Sequence, residues 1–229
     1  MSNQFNLTGD QKERNKDVVF VEPIGTEDFR IADAFNRALN DETSSDFIAQ
    51  LNDLIAFIYQ RYDLRYSKRY RCMDLTLNEK YSYEDIPRLL NWSKYISAQI
   101  IGGYRYDDET NTLPVLVNYN KEDDAIAYED HFENEEYLIA LSKTNRKVDS
   151  KDAEIIFRKQ PEYKNTKILL FVRKNKNDSE TKTFYFLGEM NAAGDPEPVA
   201  VPKRDGTGGK LSAFKVRYRL ESNVRRDIY

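Results

Sequence analysis

The chain changes period near Lys94. Up to that point apolar residues recur at three- and four-residue steps, as on one face of a helix, and beyond it they gather into short runs divided by turn residues. The later runs are Tyr95 to Ile101, Leu113 to Tyr119, Glu136 to Leu141, Lys167 to Arg173, Lys182 to Glu189 and Lys210 to Leu220. A short helix after Ser150, carrying Ile155, Ile156 and Phe157, interrupts them. Asn175 to Glu180 reads as a polar hairpin connection, and Asn191 to Gly209 as a long loop rich in Gly, Pro and charge. Many short strands with few helices predict a mixed, strongly twisted sheet or an open barrel.

Ahead of this region Met1 to Asp17 is polar, with only Phe5 and Leu7 to bury, and reads as a mobile arm. Val18 to Val21 reads as a short strand or extended segment closed by Pro23 and Gly25, and Thr26 as the cap of a helix whose buried face holds Ile31, Phe35, Ala38 and Leu39. The clearest helix follows, with Phe47, Leu51, Leu54, Ile55, Ile58 and Tyr62 on one stripe. These two helices predict an antiparallel stem that packs on the rest of the chain or couples it to another module. From Tyr81 to Trp92 a third helix is expected, with Ser82 as N-cap, Asp85 imitating a capping box, and Pro87 kinking it or shortening its first turn. Trp92, the single tryptophan, reads as a core anchor.

Charge divides the chain more sharply than its net value of −4 suggests. Residues 1–142 hold 15 Lys and Arg against 27 Asp and Glu, whereas residues 143–229 hold 20 against 12. The basic half is the half able to face phosphate, although an acidic and a basic lobe also serve solubility or docking. One histidine, His131, set among acidic residues, makes a histidine metal cage or a Ser-His-Asp triad hard to assemble, and it reads as an exposed loop residue. The single cysteine, Cys72, excludes an internal disulfide framework and reads as a small packing residue. No apolar run approaches the roughly 18 residues of a membrane span, so a soluble, cytoplasmic protein without cofactor or metal is expected.

Two stretches carry chemistry. In the first, Gly102 and Gly103 let the backbone approach a ligand, and Tyr104, Arg105, Tyr106 and Asp107 follow, with Tyr119 at the end of the next strand. These residue types suit a flat heterocycle held between rings and hydrogen-bonded to a carboxylate, while the spacing alone fits a β-hairpin with an aromatic, acidic tip. In the second, Phe214, Val216, Tyr218 and Leu220 alternate with Lys215, Arg217 and Arg219. A strand of that pattern has one apolar face and one ladder of cations able to run along a phosphate backbone, aided by Lys203, Arg204 and Lys210. Arg61 to Arg71, where cations interleave with Tyr62, Tyr66 and Tyr70, fits either nucleic-acid contact or a solvated helix end. Other patterns fail. Gly206 to Lys210 lacks the first glycine and the hydroxyl of a phosphate loop, and Glu180-Thr181-Lys182 has only Asp178 nearby to complete a nuclease metal site.

The ordered series Glu79-Lys80-Tyr81-Ser82, Arg88-Leu89-Leu90-Asn91-Trp92, Ser97 to Tyr104, Leu138 to Ser142, Ile168 to Arg173 and Phe184 to Glu189 resembles a domain at the C-terminus of large bacterial proteins. Those proteins carry a phospholipase-D-type nuclease and a superfamily II helicase motor, and they include modification-dependent (type IV) restriction enzymes that cut DNA containing 5-methylcytosine. Locally, Gly102-Gly103-Tyr104-Arg105-Tyr106-Asp107 is similar to the Gly-Gly-Tyr-x-x-Asp segment of SET- and RING-associated (SRA) domains, which flip a methylated cytosine out of DNA. The resemblance implies an α+β protein: an arm and helical stem over 1–75, then an SRA-like twisted open β-barrel with short flanking helices over 76–229. It implies a non-catalytic reader, since nuclease and ATPase motifs are absent, either isolated or a fragment of a larger enzyme. Its partners would be double-stranded DNA with modified cytosine and a helicase/nuclease module in cis or trans. Tyr104 would stack on the base, Asp107 would accept from its Watson–Crick edge, and Tyr119 or Tyr106 would close the far side. The contrasting expectation is a coupling module that docks to a helicase-nuclease partner without base recognition.

Overall fold

The stripe from Phe47 to Tyr62 forms one long helix, as its spacing predicts. It belongs to a computed structural model that describes residues 9–15, 19–24, 28–65, 68–71, 73–93, 96, 103–118, 130–173, 183–203 and 208–228. The chain divides into two units, Met1–Thr76 with Pro87–Ile96, and Leu77–Ile86 with Ser97–Tyr229. Residues 87–96 thus group with the N-terminal part, although the sequence places them beyond the stem.

In the first unit Gly9–Asn15 is a helix, α1, within the stretch expected to be an arm. Strand β1 (Val21–Ile24) pairs antiparallel with β2 (Asp28–Ile31), and Glu22 lies opposite Arg30 at 2.7 Å. This hairpin corrects the expected start of the next helix. The strand covers Val21–Ile24, Val18 lying outside the described residues, and Ile31 belongs to β2, so the next helix, α2, runs only from Asp33 to Asn40. The cross-strand ion pair and the Ala32 N–H bonded to the Phe20 carbonyl (2.9 Å) draw residues 28–32 into extended backbone. Thr26 lies outside the described residues. A short 3-10 turn, in which the Asp41 carboxylate accepts from Thr43 N–H (2.9 Å), leads into α3 (Ser45–Arg65). Phe35 meets Phe20 and Phe47 edge-on, with centroids 4.9 and 6.3 Å apart.

The second unit opens with β3 (Lys80–Ser82), followed by α4 (Asp85–Leu89), which spans the boundary between the units. The capping box is present: Ser82 donates through N–H and Oγ to the Asp85 carboxylate (3.1 and 2.7 Å), and Asp85 N–H donates back to Ser82 Oγ (3.2 Å). The helix is shorter than expected because Lys80 to Ser82 pairs with strand β8, described below. Pro87 is therefore its third residue, where a backbone N–H would have had no helical partner, so the proline is tolerated.

The sheet is built from β4 (Thr112–Asn118), β5 (His131–Asn134), β6 (Tyr137–Leu141), β7 (Lys167–Arg173), β8 (Thr183–Ala192), β9 (Glu197–Pro202) and β10 (Lys210–Leu220). Helix α5 (Lys151–Ile156) lies between β6 and β7 in the chain. The strand order is β4-β7-β8-β10-β6-β5, with β3 also on β8 and β9 also on β10. Among the described residues only the β4 and β7 pair is parallel. Among the described residues β4 and β5 end the path without pairing with each other, so the sheet is mixed and not a closed barrel. The fold is α+β.

Residues Ile168 to Val172 are wholly buried, as a continuous apolar run requires of a strand covered on both faces. Opposite Leu170 sits Gly188, with φ +91°, where the register slips by one residue and a bulge forms. One further strand was read as loop: Glu197 to Pro202 forms β9 because Val199 and Val201 pair with Ala213 and Leu211 of β10. His131, expected in a loop, is exposed in the edge strand β5. The strand expected over Tyr95 to Ile101, the connection over Asn175 to Glu180 and Cys72 lie outside the described residues, apart from Ile96, which is buried. Phe214 is wholly buried in the main core cluster. Replacing it with Ala should lower the free energy of unfolding by about 3–5 kcal/mol, read from the midpoint of urea denaturation.

Candidate functional site: a cationic cleft beside Tyr104

Backbone bonding decides what Gly103 to Thr112 can do. Tyr104 bridges antiparallel to Val115 and Asp107 to Thr112, so the segment folds back along β4 as a hairpin. Gly103 has φ +89°, a conformation that glycine adopts without a steric cost, and its carbonyl accepts from Leu116 N–H at 2.6 Å. Asp107 caps the turn: its carboxylate accepts from Thr110 N–H (2.9 Å) and Thr110 Oγ (2.7 Å). Asn111, with φ +55°, fastens the tip, its side-chain oxygen accepting from Tyr106 OH (2.9 Å) and Thr166 Oγ (2.8 Å). The Tyr106 ring meets Tyr163 edge-on at 5.6 Å.

Tyr104 is buried, with 8% of its surface exposed. Its hydroxyl donates to Asp152 Oδ2 (2.7 Å) and accepts from Lys143 N–H (3.3 Å), and the Lys143 ammonium lies 4.9 Å from the ring centroid. Arg146 Nε donates to the same Asp152 oxygen at 2.8 Å. The basic loop after β6 is tied to β10: Phe214 N–H donates to Ser142 Oγ (2.9 Å), and Arg146 N–H to the Ser212 carbonyl (3.3 Å). Asp152 itself stands in the first turn of α5, whose Ala153, Ile155 and Ile156 are buried.

These elements enclose a cleft of about 260 Å³ lined by Tyr104, Arg105, Tyr106, Lys143, Arg146, Lys151 and Asp152, with apolar Leu113, Ile155 and Ile156 beneath. Four cations face one carboxylate, so the cleft attracts anions while offering one strong acceptor. Burial, reinforced by the hydrogen bond to Asp152, holds the Tyr104 phenol well above the usual tyrosine value. Burial also pushes the Lys143 ammonium down, against the pull of Asp152.

Of the pocket residues read from sequence, Tyr104 and Tyr106 therefore share the cleft. Asp107 spends its carboxylate inside its own turn. Gly102 and Tyr119 lie outside the described residues. Reading the sequence missed Lys143, Arg146, Lys151 and Asp152, although the run Lys143 to Asp152 carries cations at a density that marks it.

The last strand alternates as expected, with Phe214, Val216, Tyr218 and Leu220 buried. Its cations are largely compensated. Lys215 Nζ pairs with Glu197 (2.7 Å), and Arg217 pairs with Glu133 (2.6 Å) while covering the Tyr137 ring at 3.7 Å. A neighbouring cleft of about 340 Å³ sets Glu133, Asp195 and Glu197 against these two cations, which leaves it no excess of positive charge. Arg219 and Lys210 are exposed at either end of β10, and Lys203 is exposed beside it with its N–H bonded to the Gly209 carbonyl (2.8 Å). Arg204 lies outside the described residues.

Residues 75–229, more than half of the chain, match the model of one protein family, described as Domain of unknown function (DUF3427). No curated protein matches the chain.

The state of Tyr104 has a measurable consequence. Folding raises its pKa, so above about pH 10, where an unfolded tyrosine loses its proton, the folded chain binds more protons than the unfolded one. Stability then falls as pH rises beyond that value. Tyr104→Phe should flatten this decline from about pH 10 upward in urea titrations, leaving the part due to Tyr218, Tyr163, Tyr83 and Tyr106, whose pKa values are raised likewise.

Proposed function

Because the chain belongs to the family described as Domain of unknown function (DUF3427), whose description assigns no activity, we propose a function from the cleft: its C-terminal unit reads DNA that carries modified cytosine, 5-methylcytosine first among the modifications. The observation that carries this reading is the joining of Tyr104 and Tyr106 to Arg105, Lys143, Arg146 and Lys151 around the single carboxylate of Asp152. The volume suits one base and not a drug-sized ligand, for which clefts of roughly 300–1,000 Å³ are usual.

In this reading the cations hold the phosphates that flank an extruded nucleotide, and the apolar floor excludes water from the base. Asp152 takes the part that the sequence suggested for Asp107. Two donors, Tyr104 OH and Arg146 Nε, end on its Oδ2, which holds the carboxylate in place as an acceptor for a cytosine amino group. Tyr104, buried and with its hydroxyl bonded to Asp152, orients that carboxylate; Tyr106, half-buried in the lining, is the ring that meets the base. The mixed sheet would then be an open variant of the SRA barrel. The chain would serve as the non-catalytic specificity part of a modification-dependent restriction system in the bacterial cytoplasm, with a helicase/nuclease module in cis or trans. Among the described residues no helix is long and apolar enough to cross a membrane.

Titration of the chain with duplexes bearing cytosine, 5-methylcytosine or 5-hydroxymethylcytosine at one position tests this. Binding should tighten on modification. Asp152→Ala should weaken the modified duplex by about 1–3 kcal/mol, and Lys143→Ala should weaken all duplexes alike and lower the salt slope by about 1. Asp107→Ala should leave the preference in place. Equal affinity for all three duplexes would overturn the reading. Failure to bind any of them, with co-purification of a motor protein, would favour the coupling module instead.

A further inference from the structure

Among the described lysines only Lys143 and Lys215 are half-buried, and Lys215 spends its charge on Glu197 at 2.7 Å. Lys143 has no such outlet. Among the described residues its Nζ makes no hydrogen bond and no ion pair, and the group it meets is the face of the Tyr104 ring, 4.9 Å away. Burial is the main cause that lowers its pKa; Asp152 opposes the shift, and Arg146 and Arg105 add to it. A lysine drawn out of water beside other cations is the usual way to make an amine nucleophilic, and this one lines a cleft. Holding a phosphate uses only its charge.

We propose that Lys143 condenses reversibly with an aldehyde carried by the extruded base, which on cytosine is a 5-formyl group; the inference rests on the reading of the cleft as a modified-cytosine site. Asp152 fixes the approach. In that reading its carboxylate accepts from the exocyclic amino group, and the ring carbon next to that amino group bears the 5-substituent. The substituent is therefore presented to whatever stands beside Asp152. Tyr104 stands there, its hydroxyl 2.7 Å from Oδ2, with the Lys143 ammonium over its ring.

The ammonium releases a proton, its lone pair bonds to the formyl carbon, and the π pair of the carbonyl moves to oxygen. A proton then passes from nitrogen to that oxygen, the released proton is taken back, and the hydroxyl departs as water. The product is a protonated imine, with the charge unchanged and no bond of the strand cut. Water reverses the step. A methyl group or a hydrogen at the same position offers no carbonyl, so toward 5-methylcytosine and cytosine Lys143 acts by charge alone.

Duplexes bearing one 5-formylcytosine, 5-methylcytosine or cytosine are mixed with a saturating amount of the full chain, and sodium cyanoborohydride is added to reduce any imine to a secondary amine that survives denaturing electrophoresis. The 5-formylcytosine duplex alone should crosslink, and mass spectrometry of the digested product should place the bond on Lys143. Lys143→Arg keeps the charge without an amine able to condense, and should lower the yield about tenfold or more. Lys147→Arg, on the same loop but outside the cleft lining, should leave the yield unchanged. Crosslinks spread over exposed lysines such as Lys147, or no crosslink at all, overturn the proposal. Affinities for the 5-methylcytosine and cytosine duplexes, measured in the same series, judge the underlying reading apart from it. A preference for the methylated duplex without a crosslink at Lys143 sinks the inference and leaves the reading standing, whereas equal affinity sinks both.

Discussion

Ile168 to Val172 lose all contact with solvent, and a strand in that position must satisfy its backbone on both sides. It does so with β8 antiparallel on one side and β4 parallel on the other. A parallel neighbour cannot be reached by a tight turn, so the chain travels from residue 118 to residue 167 before returning. That crossover carries β5, β6, the basic loop and α5. The cleft is a product of this detour: Tyr104 enters just before β4, and Asp152 stands near the far end of the crossover, 48 residues later.

This long return also explains what could be read without coordinates. Elements whose side chains announce themselves locally were legible: Lys167 to Arg173 and Lys210 to Leu220 match β7 and β10 to the residue, and the helix after Ser150 is α5. Elements held by partners distant in sequence were not. Glu197 to Pro202 contains two prolines and reads as loop until β10 lies beside it. Lys80 to Ser82 has the dress of a helix start, yet β8 claims its backbone. Asp28 to Ile31 reads as the start of a helix because its pairing with β1 is nothing that periodicity registers.

The cleft shows the same limit in chemical terms. Asp107 has the right type and neighbours for a ligand acceptor, but a carboxylate two or three residues from free N–H and hydroxyl donors closes on them first. Asp152 escapes that fate because its partners, Tyr104 and Arg146, come from other elements and bond to one of its oxygens. The cationic strand fails as an open ladder for a related reason: Glu133 and Glu197 reach Arg217 and Lys215 from strands that only the topology brings close.

The bulge at Gly188 shifts β8 out of phase with itself. Before it, Phe184 and Phe186 lie on the face that holds Phe171, whose ring is 5.1 Å from that of Phe186. Leu187 just before the glycine and Met190 just after it, three residues apart and therefore of opposite parity, both join Ile168 and Leu170 in the main core cluster. One strand thus feeds both sides of the sheet, switching sides at a single glycine. An alternation rule counted from either end of β8 assigns the other end to the wrong side, so the strand has to be read in two frames that meet at residue 188.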